Sequence, residues 1–256
     1  MRSVSFFDAR RRLTRSIARQ SITVFEQGSV AAVQLDSGAL DWYRVCFLPD
    51  GTVVCGSVEG VIVLWNSHAR SPHAAVAGAH AIVALASSAT AFASGASIRP
   101  RALNAADPRP PLLGRVTGLV EVWSHAGTPL LALKGHDEVV YELAFSADGA
   151  RLVSACKDGT SRVWDVASGA CVHVHDFKAG WVRSVALSPA GLLAVALPGS
   201  NEVRCVQLED GAVVSSVATY MPFRVRFARG GGGQGGPPRL FFSANLSNFP
   251  LLAVTV

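Results

Sequence analysis

The sequence lacks the short motifs that carry common chemistries. It has no G-x-S-x-G, no H-E-x-x-H and no P-loop, which excludes the usual nucleophile elbow, zinc-protease helix and phosphate cradle. Gly230–Gly236 is rich in glycine, but no Lys-Ser/Thr follows and Pro237-Pro238 blocks a helix start. Cysteine is sparse. Cys46, Cys55, Cys156, Cys171 and Cys205 are the five in 256 residues, and none forms a C-x-x-C pair. No secretory signal precedes them, so reduced, mostly buried thiols are expected, in an intracellular chain of the cytoplasm or nucleus. Long apolar runs are missing too. The longest charge-free stretch, Ser71 to Ile98, is dominated by Ala, Ser and Gly and interrupted by His80, which makes poor membrane material. Neither sign of charge dominates. The 23 basic and 18 acidic residues leave a net charge of +5, spread along the chain. That permits an acidic partner without demanding nucleic acid.

What is present is repetition. Half of the residues are apolar, enough for a substantial core. The stretch GHDEVVYELAFSADGARLVSACKDGTSRVWD, Gly135 to Asp165, opens on Gly-His and closes on Trp-Asp. Between them lie short apolar runs, each ended by turn residues. The Trp164 position recurs as Trp123, Trp65 and Phe25 upstream and as Val206 downstream. Three of these four steps fall at about 40–45 residues, a period that marks a repeat architecture. The long step carries the Pro- and Arg-rich insertion 98–117, which reads as an extended surface loop. The first-strand signal recurs as RVCFLPDG, ELAFSADG and SVALSPAG, and the second as TVVCGSVEG, RLVSACKDG and LLAVALPGS.

Both ends fit the same template. MRSVSFFDARRRLTRSIARQ is Arg-rich like a mitochondrial transit peptide. It nevertheless aligns with the best unit across a one-residue gap, so residues 1–36 are read as a repeat with a basic turn at Arg10–Arg12. FRVRFA, a Gly-rich loop at 229–239, LFFSANL and LLAVTV give a last unit without a clear fourth strand. The expected organisation is one domain, 1–256, of units 1–36, 40–79, 80–135, 136–177, 180–218 and 222–256.

These residues resemble the WD-repeat family. The resemblance covers nearly the whole chain, with the unit at 135–177 the most specific. In the other units His80 follows Ala, and Trp65 and Trp123 are followed by Asn66 and Ser124. The resemblance implies an all-β fold, a β-propeller of about six four-stranded blades. The ring is either complete or a seven-bladed one short of a blade. Neither terminus clearly supplies the strand that would close it, so a missing seventh blade or a partner's strand is expected there.

The resemblance also implies a buried hydrogen-bond chain of His136, Asp158 and Trp164 with a second-strand hydroxyl. The alignment puts Ala155 at the hydroxyl position and turns Ser154 to the other face, so the chain is expected to be broken or water-bridged. Glu59 and Arg19 replace the Asp in the second and first units. Asp50-Gly51, Asp148-Gly149 and Asp158-Gly159 are hairpin-turn pairs, and these acids read as structural rather than catalytic.

Cys171, His173 and His175 alternate and would share one strand face, where soft and imidazole ligands suit zinc or copper. Their place on an outermost strand and the want of a fourth ligand favour plain solvent exposure instead. No metal, cofactor, catalytic residue or small-molecule substrate is expected, and no membrane. Arg99, Arg101, Arg109 and Arg115 in or beside the insertion, with Arg10–Arg12, read as solvated loops able to dock an acidic partner. Propellers often bind partners where the first strands begin. Trp42, Tyr43, Tyr141, Trp181 and Arg183 fall there, and they are of the types enriched in interface hot spots.

The function implied is a non-catalytic protein–protein interaction scaffold or adaptor within a multiprotein complex. One alternative is a basic component of an RNA-associated or ribosome-biogenesis complex, with nucleic acid reached indirectly or through the basic loops. A weaker one is a ubiquitin-ligase substrate receptor. Such receptors commonly carry Arg or Lys two residues after Trp-Asp, where this chain has Ala167, with His68 and Ala126 in the sister units.

Overall fold

Short alternating runs closed by turn residues give strands throughout, and no α-helix forms among the described residues. The computed structural model describes residues 2–6, 21–26, 32–36, 42–57, 60–66, 71–77, 81–96, 118–228, 239–244 and 252–255. It describes side chains for 44–57, 60–65, 74–76, 81–96, 118–228 and 239–243. The Arg10–Arg12 turn, the 98–117 insertion, Arg19, Glu59, His68, His80 and most of the Gly-rich loop lie outside these residues.

The strands form six antiparallel meanders. The first is β1 (Arg2–Phe6), β2 (Ser21–Glu26) and β3 (Ala32–Asp36). The second is β4 (Trp42–Phe47), β5 (Val53–Ser57), β6 (Val61–Asn66) and β7 (Ser71–Ala77). The third is β8 (Ile82–Ser87), β9 (Ala91–Ala96), β10 (Val120–Ser124) and β11 (Pro129–Leu133). The fourth is β12 (Val140–Phe145), β13 (Arg151–Cys156), β14 (Thr160–Asp165) and β15 (Cys171–Asp176). The fifth is β16 (Ser184–Leu187), β17 (Leu192–Leu197), β18 (Glu202–Gln207) and β19 (Val213–Ala218). The last is β20 (Pro222–Phe227), β21 (Arg239–Ala244) and β22 (Leu252–Thr255). The repeat template sets a second strand between β1 and β2. Instead these two pair directly, matching Val4 with Val24 and Phe6 with Ile22.

The first strands of neighbouring sheets lie against one another, β4 on β8, β8 on β12, β12 on β16 and β16 on β20. They are therefore innermost, and the fourth strands lie outside. Burial follows that order. All six residues of β17 are buried, whereas β19 has none fully buried. The core fills the gaps between successive sheets. Val153, Ala155 and Val163 of the fourth pack on Val185, Leu193, Val195 and Val206 of the fifth. Leu152 and Trp164, on the other face, pack on Ala93, Val120 and Val122 of the third. Each such Val or Leu side chain contributes about 1.5–3 kcal/mol by leaving water.

Four of the innermost strands, β4, β8, β12 and β20, share one irregularity. The pairing register shifts between Trp42 and Arg44, Ile82 and Ala84, Val140 and Glu142, and Pro222 and Arg224. One extra residue sits in each bulge: Tyr43, Val83, Tyr141 and Phe223. A bulge re-aims its side chain out of the regular ladder. The same end of these four blades thus carries one off-register residue.

Candidate functional site

Two constellations stand out, one buried in the fourth sheet and one at the mouth of the innermost strands. In the first, the Trp164 indole N–H donates to Ser154 Oγ at 2.9 Å. Ser154 Oγ lies 2.6 Å from His136 Nε2, and His136 Nδ1 lies 2.8 Å from Asp158 Oδ2. A carboxylate only accepts, so Nδ1 carries the hydrogen, and in the neutral ring Nε2 accepts from the Ser154 hydroxyl. The Thr160 hydroxyl and N–H donate to Asp158 Oδ1 at 2.7 and 2.9 Å. His136 and Ser154 are almost fully buried, and every polar group in the chain has a partner, as burial demands.

Ser154, not Ala155, supplies the hydroxyl. Leu152 pairs with Trp164 and Ser154 with Arg162, so Ser154 shares the Trp164 face. Ala155 pairs with Ser161 and faces the fifth sheet. The expected break in the chain is therefore absent. Gly135 has its own reason. A Cβ there would lie 2.9 Å from Arg162 Nη1 and 3.2 Å from the Trp164 ring. Gly159 closes the β13–β14 turn at φ +89°, a backbone region that side chains disfavour.

Burial pushes the Asp158 carboxyl up, but its hydrogen bonds from His136 and Thr160 outweigh this and hold it well below the ordinary carboxylate value. His136, Cys156 and Asp158 bring their donor atoms within 4.8 Å of one another. Both His136 nitrogens already serve the chain, however, and burial drives the Cys156 thiol far up. This donor set suits hydrogen bonding rather than a metal, which needs a thiolate. Asp50 and Asp148 accept from the N–H two residues on, Thr52 at 2.8 Å and Ala150 at 3.0 Å, and thereby brace their turns.

The third sheet keeps half of the network, with Trp123 Nε1 donating to Ser94 Oγ at 2.9 Å. In the second sheet Cys55 stands at the Ser154 position, and buried Trp65 Nε1 has no partner among the described residues. Cys171, His173 and His175 do not converge. His175 Nε2 donates to Leu208 O at 2.9 Å, His173 Nε2 lies 3.1 Å from Glu209, and Cys171 is exposed. Burial lowers the His175 pKa. All five cysteines are free thiols, and burial pushes Cys46 up to about 12.

At the mouth, the Tyr141 and Trp181 ring centroids are 5.9 Å apart. The Arg183 guanidinium lies 4.8 Å from the Tyr141 centroid and 4.2 Å from that of Phe223. The result is a ladder, Trp181–Tyr141–Arg183–Phe223, across three blades. Phe223 was not among the sequence candidates, though it occupies the Tyr141 position of its own unit. Trp42 and Tyr43 belong to β4, but their side chains fall outside the described residues. Beside the ladder lies an open cleft of about 480 Å³ lined by Lys157, Asp158, Asp176, Lys178 and Trp181. Lys157 pairs with Glu138 and Lys178 with Asp176, so the cleft carries little net charge.

Just inside the mouth, Glu142 ties three blades together. Its carboxylate accepts from the Ser184 hydroxyl and, at 2.5 Å, from Arg226 Nη2. Val225 N–H donates to Ser184 Oγ at 3.1 Å.

Meandering four-stranded sheets with innermost first strands, joined to a Gly-His/Asp/Trp-Asp network, define a repeat-built β-propeller. The model of the family "WD domain, G-beta repeat" matches residues 127–165. The nuclear distribution protein PAC1 of Yarrowia lipolytica is 36% identical over 93 residues, which are 36% of this chain and 20% of that protein. The guanine nucleotide-binding protein subunit beta of Saccharomyces cerevisiae is 38% identical over 92 residues, 36% of this chain and 22% of that one. The human WD repeat and SOCS box-containing protein 1 is 38% identical over 93 residues, 35% and 22% of the two chains. The chain thus spans about a fifth of the length of these relatives. Among solved structures, a chain of the mitotic checkpoint complex superposes with a TM-score of 0.75 at 18% identity, over 93% of this chain and 68% of that one. That likeness concerns the fold. Residues 127–165 thus match a WD repeat, and the chain is similar to WD-repeat proteins, with no subfamily distinguished.

Proposed function

We propose that the chain is a protein–protein interaction scaffold or adaptor with no chemistry of its own, and that partners dock on the ladder Trp181–Tyr141–Arg183–Phe223. The observation that carries this reading is the ladder itself. Bulges aim Tyr141 and Phe223 away from their strands, Arg183 packs between their rings, and Trp181 stays about a third exposed, at 36%. Aromatic and arginine side chains gathered on one rigid rim are the composition of a binding hot spot. Two of the similar proteins are named as parts of assemblies, a G-protein subunit and a checkpoint complex, which supports an assembly role here. The buried network around His136 is a stabilising element in this reading.

The test is affinity capture of the tagged chain from its native cell extract at low and high salt, beside the Trp181→Ala and Phe223→Ala variants. Stoichiometric proteins that survive high salt and are lost with either substitution are the expected result. The same proteins captured by wild type and both variants would remove this surface from the proposal. Recovery of chaperones alone would remove the scaffold reading.

A further inference from the structure

The outer edge of the fourth sheet is fastened to the fifth by two histidines. His173 and His175 share one face of β15, with rings 6.1 Å apart and 7° from parallel. Both reach the turn between β18 and β19. His173 Nε2 lies 3.1 Å from Glu209 Oε2. His175 is buried, and its Nε2 donates to Leu208 O at 2.9 Å. A carbonyl only accepts, so Nε2 carries the hydrogen and Nδ1 of the neutral ring is bare. Nδ1 makes no hydrogen bond among the described residues. It faces the backbone of Gly211, where an added Cβ would stand 2.8 Å away. Leu208 belongs to the apolar cluster between the two sheets, and so does Phe177, whose ring is 6.4 Å from that of His175. The bond to Leu208 thus closes the rim of that core.

This seat fits a neutral ring and not a charged one. A second proton must go to Nδ1, where the turn offers no acceptor. Among the surrounding groups, His173 opposes a charge on His175, whereas Glu209 and Asp210 of the turn favour it. Asp176 is taken up by Lys178, Arg204 of β18 is taken up by Glu202, and Ser161, opposite on β14, does not titrate. Burial is the largest influence and leaves the His175 pKa below its ordinary 6.5. Stability that depends on the neutral ring is therefore present above that value and is lost as pH falls from it through the folded-state pKa.

We propose that His175 is an acid-sensitive latch, which holds the β18–β19 turn on the fourth sheet while its ring is neutral and releases it on protonation in mildly acidic solution. The latch does not depend on where partners dock.

The test follows the full chain from about pH 8 to about pH 5, by NMR titration of the histidine rings and by amide hydrogen exchange corrected for its intrinsic pH dependence. The His175 ring titrates below the ordinary value. Exchange protection at 208–212 falls severalfold across the range, while that of the buried strand β17 changes less. His175→Gln keeps an amide donor for Leu208 O and cannot titrate, so its protection at 208–212 changes little with pH. His173→Gln removes an opposing charge and moves the release to higher pH. A His175 ring that titrates at or above the ordinary value overturns the proposal, and so does constant protection at 208–212 in wild type. An equal loss in His175→Gln also overturns it, by assigning the response to another group. The wild-type ring titration decides even if that variant does not fold.

Discussion

The fourth and fifth sheets share one plan and fill it differently. In the fourth, the face toward the preceding blade carries Leu152, Ser154 and Trp164, closed by His136 and Asp158. In the fifth, the matching face carries Leu193, Val195 and Val206, each almost fully buried. Its mouth, 177–182, has no histidine, and its turn Pro198–Asn201 has no acid. Both sheets are four-stranded and pack on each other through one apolar cluster. The blade therefore needs the alternation of apolar residues and does not need the polar chain. The chain adds specificity and rigidity to a fold that burial already sets, and it makes the fourth blade sensitive where the fifth is not.

The largest test of this contrast compares Trp164→Ala with Val206→Ala. Trp164 is 1% exposed, and its loss leaves a large cavity and a Ser154 hydroxyl short of a donor. A cost of about 3–5 kcal/mol is expected. Val206→Ala removes far less volume and no hydrogen bond, and it should cost clearly less. Urea unfolding of the two variants measures the difference. Equal losses would mean that the two positions are energetically alike and the network adds nothing.

Next comes an exchange of character. Ser154→Ala leaves the Trp164 N–H and a His136 nitrogen buried without partners and should cost about 1–3 kcal/mol. Val195→Ser puts a hydroxyl into an apolar face and should cost a similar amount for the opposite reason. If Val195→Ser is neutral, the fifth blade is less tightly packed than its burial implies.

Acid separates the blades without changing their volume. Asp158 has a folded-state pKa below its ordinary 3.8, so its contribution to stability is present above that value and is lost as pH falls below it. Wild type should lose stability on acidification below about pH 4, the reference range of Asp. Asp158→Asn should start less stable and lose less over the same range. Parallel acid profiles in a thermal-melt series would show that Asp158 is not the group responsible.

The comparison also shows what the sequence makes legible. The spacing of Trp65, Trp123, Trp164 and Val206, with the turn signals between them, was enough for an all-β propeller of four-stranded sheets. Period and alternation are local properties of the chain. Ser154 was misplaced because strand-face parity depends on register, and the register comes from the Asp158-Gly159 turn rather than from distance to His136. Phe223 could have been found from its place in the unit, since it lies four residues before Phe227 as Tyr141 lies four before Phe145. The tie from Glu142 to Arg226 could not. It joins residues 84 apart in sequence and depends on how three blades curve around the centre.

The smallest expected effect concerns the blades that keep only part of the network. Trp123 and Trp65 are both buried, at 2% and 8% exposure, but among the described residues only Trp123 has an acceptor, Ser94. Changing either to Phe removes the indole N–H and some volume. At Trp123 the lost bond strands Ser94 and adds to the packing loss. At Trp65 the change removes a buried donor that has no acceptor among the described residues, and that relief offsets part of the packing loss, since such a group costs about 1–3 kcal/mol. Trp65→Phe should therefore sit within about 1 kcal/mol of wild type, the scale of a mild volume change, with Trp123→Phe clearly lower. A fall at Trp65 as large as that at Trp123 would mean that ring volume, rather than the N–H, governs both positions, and the graded network would lose its energetic meaning.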